Sequence, residues 1–135
     1  MLRTIGKRAS RGGDERGQAE RGQAERGQAA IEYVGVIALL IFVALAAIQL
    51  GIAAYAVQQA GTASRAAARA ASYREAAMTP ETAGEAAVSD WLVVHIDTPA
   101  SAGDEITATA RVEIPEILPI FELGEAERST TMPLD

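Results

Sequence analysis

Along the chain, polar and apolar positions fall into four regimes. Residues 1–27 hold almost nothing that a core could bury: Gly, Arg and small polar residues dominate, and RGQAE recurs from Arg16 and from Arg21. A third copy from Arg26 ends in Ala30 instead of Glu. A five-residue period is too short for a solenoid unit, so this stretch reads as a disordered leader with local duplication. From Tyr33 to Ser64 no residue is charged, and Val34 to Val57 is an almost unbroken apolar run. As a helix, that run covers about 36 Å, enough to cross a hydrocarbon core of about 30 Å. Gln58 to Ala77 keeps strong helix formers and meets its first breaker at Thr79-Pro80, so one long helix over 28–78 is expected, membrane-spanning at about 34–57.

Beyond Pro80 the pattern changes to short elements. PETAGEAAVSDW suits a short helix with Thr79 as N-cap and Pro80 at the first helical position. Trp91 to Asp97 and Glu105 to Ile114 read as strands, the second placing Ile106, Ala108, Ala110, Val112 and Ile114 on one face. TPASAGD between them suits a hairpin connection, and a last short strand is expected around Ser129 to Met132. Pro115 and Pro119 frame an apolar ILPIF. The expected fold is an α+β membrane protein: a long N-terminal transmembrane helix, then a small antiparallel sheet domain over 79–135.

Charge adds orientation. Residues 1–27 carry seven Arg/Lys against four Asp/Glu, whereas residues 28–135 carry five against fourteen. The basic flank places the N-terminus in the cytoplasm and the acidic part outside. An acidic body argues against nucleic acid, whose phosphates need a basic footprint. Cysteine is absent, which removes disulfides and thiolate metal sites. The single histidine, His95, would share a strand face with Asp97 but has no nucleophile or second ligand beside it. No Gly-rich phosphate loop lies on a strand-to-helix turn either. The sequence therefore offers no catalytic site, no metal site and no cofactor site.

A carboxylate at the edge of a membrane helix is costly, which makes Glu32 the residue to explain. Gly27-Gln28-Ala29-Ala30-Ile31-Glu32-Tyr33 resembles the prepilin peptidase signal of type IV pilins, in which a basic leader ends in Gly and Glu is the fifth mature residue. The other two RGQA glycines, Gly17 and Gly22, have Gly22 and Gly27 at their fifth positions, so only Gly27 satisfies both requirements. AAIEY is similar to the Tad (tight adherence) branch, whose major Flp pilins are very short. Removing 27 of 135 residues leaves 108, a length that points to the TadE-like pseudopilins and minor pilins. TadG-like proteins, with a von Willebrand-type domain, need far more chain. The resemblance extends to about Ser72 through Leu50-Gly51, Tyr55, Gln58-Gln59 and the Ala-Arg stretch Ala63 to Ala70. It departs at Gln49, where an acidic residue often precedes the Gly, and at Ala67, where Gly is common.

What the resemblance implies is cleavage between Gly27 and Gln28 by prepilin peptidase, with Glu32, beside Tyr33, docking the subunit among other pilins and Tad membrane assembly proteins. Cutting creates an α-amino group, and a carboxylate one turn along can face the amine of a neighbouring subunit. Helical steps of three and four from Glu32 trace a seam of mostly small residues: Gly35, Leu39, Phe42, Ala46, Gln49, Ala53, Ala56, Ala60, Ala63, Ala67 and Ala70. Small residues let helix backbones approach within lipid, and Ala47 with Gly51 adds a small-xxx-small pair. On the seam, Gln49 is placed to hydrogen-bond across an interface. Gln58, Thr62, Arg65, Arg69 and Ser72 fall on the opposite side, expected to stay wet. Two other readings remain: an uncleaved signal-anchored envelope scaffold, and a secreted domain released near the Ala-rich end of the apolar run.

Overall fold

The structure is a computed structural model that describes residues 9–97 and 99–135, with side chains from Arg16 on. Helix α1 runs over Ala9–Ser72 and α2 over Pro80–Ala86. The strands are β1 (Val94–Ile96), β2 (Ala100–Ala102), β3 (Glu105–Glu113) and β4 (Glu125–Pro133). The chain divides into two compact units, Met1–Ala44 and Leu45–Asp135. The architecture is thus α+β, with, among the described residues, one helix long and apolar enough to cross a membrane.

In the first unit, helix replaces the expected disorder from Ala9 to Gly27; the leader before Ala9 lies outside the described residues. Absence of buriable side chains rules out a packed core there, but not a helix. Arg, Gln, Ala and Glu fill four positions of each five-residue repeat and are good helix formers. Arg16 with Glu20, and Arg21 with Glu25, also stand four residues apart, where side chains meet on a helix surface. The apolar residues that follow are exposed, Ile31, Val34, Leu39 and Leu40 by more than half.

In the second unit, α1 ends at Ser72, before the expected end at 78. The Ser72 hydroxyl donates to the Arg69 carbonyl at 2.9 Å, and the Ser72 carbonyl accepts from Asp135 N–H at 3.2 Å. Both contacts satisfy terminal groups that a continuing helix would otherwise have bonded. Ser72 is consequently buried, contrary to the expectation that it stays wet, while Gln58, Thr62, Arg65 and Arg69 are exposed. Helix α2 begins as the sequence suggests: the Thr79 hydroxyl accepts from Thr82 N–H at 3.3 Å, with Pro80 next in line.

β3 is the centre of the sheet. β4 pairs with it antiparallel over its whole length, from Glu105 opposite Pro133 to Glu113 opposite Glu125. Both β1 and β2 also pair antiparallel with β3, Val94 opposite Val112 and Ala100 opposite Thr107. Their registers differ by one residue, so this edge is interrupted between Ile96 and Ala100. The expected hairpin loop thus contributes a strand of its own, and the turn shrinks to Gly103-Asp104. Gly103 has φ +65, the positive value that the first central position of a two-residue hairpin turn requires.

β1 is shorter than its apolar run, because Leu92 N–H turns back to the Ser89 carbonyl at 2.9 Å and Trp91 leaves the strand line. β4 is longer than expected. Its outer residues are polar, and the ladder is secured by Thr107–Thr131 and Thr109–Ser129 hydroxyl contacts of 2.7 and 2.8 Å.

The inner face of β3 presents Ala108, Ala110 and Val112 to α1, as the alternation predicts, and all three are buried. Ala110 and Val112 meet Ala56, Ala60 and Ala63 in one cluster with Val88, Leu92 and Ala126; Ala67, Ala68 and Ala108 form a second. Alanine against alanine lets sheet and helix approach closely, but each methyl removes little area from water. Close fit therefore matters more here than bulk.

Candidate assembly segment and the Gln49 clamp

Gly27, Gln28, Glu32 and Tyr33 lie on consecutive turns of α1, and all are exposed. Four residues separate Gln28 from Glu32, a rise of about 6 Å, just over one helical turn. Among the described residues Glu32 takes part in no side-chain hydrogen bond and no ion pair. A Cβ built at Gly27 or Gly35 meets no atom within 4 Å. The Gly27–Gln28 bond itself is within helix, and the glycines at 17, 22 and 27 each weaken that helix by about 1 kcal/mol relative to Ala.

The seam residues from Gln49 on have a different surrounding. Ala56, Ala60, Ala63 and Ala67 are fully covered within the second unit, while Ala46, Ala53 and Ala70 are half-buried and Gly51 is exposed. Their neighbours are the chain's own sheet, so this stretch of seam already has an intramolecular occupant. Gln49 is the largest fully buried side chain among the described residues. Its Nε2 donates to the Pro115 carbonyl at 3.0 Å, and its Oε1 accepts from Ile117 N–H at 2.7 Å. Two backbone groups of fixed role thereby set the orientation of the amide. The hydrogen bond expected across an interface is made inside the chain instead, to the loop after β3.

Two further contacts were not foreseen from the sequence. Tyr55 stacks on Trp91 with ring centroids 5.7 Å apart and planes 7° from parallel, and its hydroxyl meets Ser89 Oγ at 2.7 Å. Gln49 inside an apolar run, with no charge near it, was the signal that a partner must exist. Nothing in the sequence said that the partner was backbone.

On the outer face of the sheet, His95 Nε2 lies 3.3 Å from Glu113 Oε1. Asp97 pairs with Arg111 at 2.7 Å, and Glu127 Oε2 accepts from Arg111 Nε at 3.1 Å. The Glu127 hydrogen bond first, and the Asp97 charge second, raise the Arg111 pKa above its ordinary value. Among the described residues, His95, Glu113 and Glu125 bring ligand atoms within 4.8 Å of one another and could hold a cation, but all three are exposed.

Residues 27–69 match the family model of the TadE-like proteins. This segment of the chain is similar to the TadE-like proteins. The match runs from Gly27 through the apolar run into the Ala-Arg stretch, and it supports association with the Tad pilus system. The TadE-like family is one of pilus components and is not a known enzyme family. Neither a curated protein nor a solved structure matches the chain.

Proposed function

We propose that this TadE-like chain is a minor pilin or pseudopilin, cut by prepilin peptidase between Gly27 and Gln28, that takes part in Tad-type pilus assembly. The observation that carries the reading is the place of Glu32, an exposed carboxylate without a hydrogen-bond or ion-pair partner among the described residues, the fifth residue after the bond to be cut and at the start of an apolar span. The TadE-like match begins at Gly27, the residue that would end the leader. Three glycines at intervals of five make that part of α1 easy to open, which a peptidase needs in order to reach a helical bond.

After cleavage Glu32 faces the α-amino group of a neighbouring subunit, and desolvation at the membrane edge strengthens their attraction. The partners are prepilin peptidase, other pilins or pseudopilins, the Tad membrane proteins and the lipid bilayer. The basic leader stays in the cytoplasm and residues 79–135 fold outside.

N-terminal sequencing of the membrane-extracted protein tests this directly. A mature chain starting at Gln28, and a longer precursor for Gly27→Leu, are expected. Intact residues 1–27 on the mature protein would establish the signal-anchored scaffold instead, and a start beyond Val57 a released domain.

A further inference from the structure

The loop from Pro115 to Leu123 exposes Ile117, Ile120, Phe121 and Leu123, with Ile120 66% accessible. Four apolar side chains on one short loop form a patch that an aqueous surface does not favour. The loop is also tied to a particular height on α1. Gln49, which binds Pro115 and Ile117, lies nine residues before Gln58, the first polar residue after the apolar run, or about 14 Å along the helix axis. Tyr55 and Trp91, the stacked aromatic pair, mark a second height six residues beyond Gln49, about 9 Å away. Tyr and Trp concentrate at the headgroup level of membranes.

We infer that the loop 115–123 is a membrane wedge, inserted into the leaflet on the C-terminal side of the span and held at its depth by Gln49. With Tyr55 and Trp91 at the headgroups, the Gln49-bound loop sits about 5–10 Å deeper, where apolar side chains of interfacial elements are buried. Val93 and Ile48, both about half exposed, continue the apolar surface beside Trp91 and Tyr55. Glu116 and Glu122 bracket the apolar stretch and limit its depth. Glu116 lines an open cavity together with Glu113 and Glu125, so its carboxylate has a route to water. Residues 112–127 contain no Lys or Arg, so apolar burial, and not attraction to anionic headgroups, drives insertion. This inference rests on the apolar run being membrane-embedded, and not on the role in pilus assembly.

The chain has no cysteine, so a single introduced one can be labelled uniquely. Ile120→Cys, Val43→Cys and Ser101→Cys would each carry an environment-sensitive fluorophore in the full chain, reconstituted in phosphatidylcholine vesicles containing lipids with a quencher at a shallow acyl position for Ile120→Cys and Ser101→Cys and at a deep acyl position for Val43→Cys. Ile120 and Ser101 are both exposed, which leaves the fold intact. Expected is a blue-shifted emission at Ile120→Cys, quenched several-fold more strongly than at Ser101→Cys and unchanged in high salt. If Val43→Cys is quenched while Ile120→Cys behaves like Ser101→Cys, the wedge is wrong although the span stands. If Val43→Cys is not quenched, the span and the wedge fall together. Protection of Ile120→Cys only after a pilin partner is added would overturn the lipid assignment in favour of a protein contact.

Discussion

Ile117 N–H donates to Gln49 Oε1 at 2.7 Å across 68 residues of sequence, and with the Pro115 bond it fixes a loop to a helix through one buried amide. Removing only the side-chain partner leaves a backbone donor and acceptor without one. Gln49→Leu should therefore cost about 1–3 kcal/mol. Hydrogen exchange reads the effect locally: the Ile117 amide should lose protection while the β3–β4 ladder amides keep theirs. Equal protection at Ile117 in both proteins would remove the clamp from the account.

Gly84 is the place where α2 has no room for a side chain. A Cβ there would lie 2.5 Å from Ile96 Cδ1 and 3.5 Å from the Ala63 carbonyl oxygen. Ala is favoured over Gly within a helix by about 1 kcal/mol, but overpacking of this kind costs about 1–3 kcal/mol. Gly84→Ala should therefore be neutral to destabilising, in spite of its helix propensity. Combining it with Ile96→Ala removes the clash, so the double variant should be more stable than the sum of the two single effects. Strict additivity in thermal unfolding would show that Ile96 moves aside freely.

The small-residue seam of α1 divides into parts that respond differently to bulk. Ala60 is fully buried, and Leu at that position must push the sheet away, costing about 1–3 kcal/mol or more. Gly35 has open space around it, so Gly35→Leu should leave the stability of the second unit unchanged. If the seam at Gly35 packs against another pilin in the membrane, the same change should lower co-purification with that pilin. Unchanged co-purification would confine the packing role of the seam to the chain's own sheet.

What the sequence revealed follows the length of each periodic signal. The apolar run, the inward face of β3 and the Thr79-Pro80 start of α2 were legible because each rests on local pattern or local capping. The true length of β4 was hidden, since Glu125, Glu127, Ser129 and Thr131 look like loop until β3 supplies their partners. The stop at Ser72 was hidden for a similar reason: it depends on Asp135, 63 residues away. Over 9–27 the helix was hidden in the other direction, because lack of a core was equated with lack of helix. At the candidate site, Gly27 and Glu32 stand out by spacing alone, whereas the occupant of the seam beyond Gln49 did not show in the sequence. An alanine stripe accepts another helix or a sheet equally well, and only the tertiary fold decides between them.

Arg111 bridges Asp97 and Glu127 on the wet face of the sheet. Its pKa is raised in the folded state, so its contribution is fully present below the ordinary arginine value and lost only as pH rises beyond it. Near neutral pH the effect of Arg111→Met should thus be independent of arginine titration. It should be small, because exposed pairs are screened by water, and smaller still at 1 M salt, where the Debye length is about 3 Å. The melting temperatures of the two proteins should converge with salt; a gap that persists at 1 M would mean that the guanidinium contributes by packing.

Glu32→Gln separates the assembly role of the carboxylate from its structural setting. The substitution keeps side-chain size and removes the charge. Glu32 is exposed and makes no side-chain hydrogen bond or ion pair among the described residues, so membrane insertion and the unfolding of the second unit should be unchanged. If the charge attracts the amine of a neighbouring subunit, recovery of pilin partners in a detergent pull-down should fall several-fold. Glu32→Asp should retain part of it, since the charge remains while the reach shortens by one methylene. A peptidase defect gives another pattern, because an uncleaved precursor would be visible on the same gel. Full recovery of partners with Glu32→Gln would show that the carboxylate only marks the membrane edge.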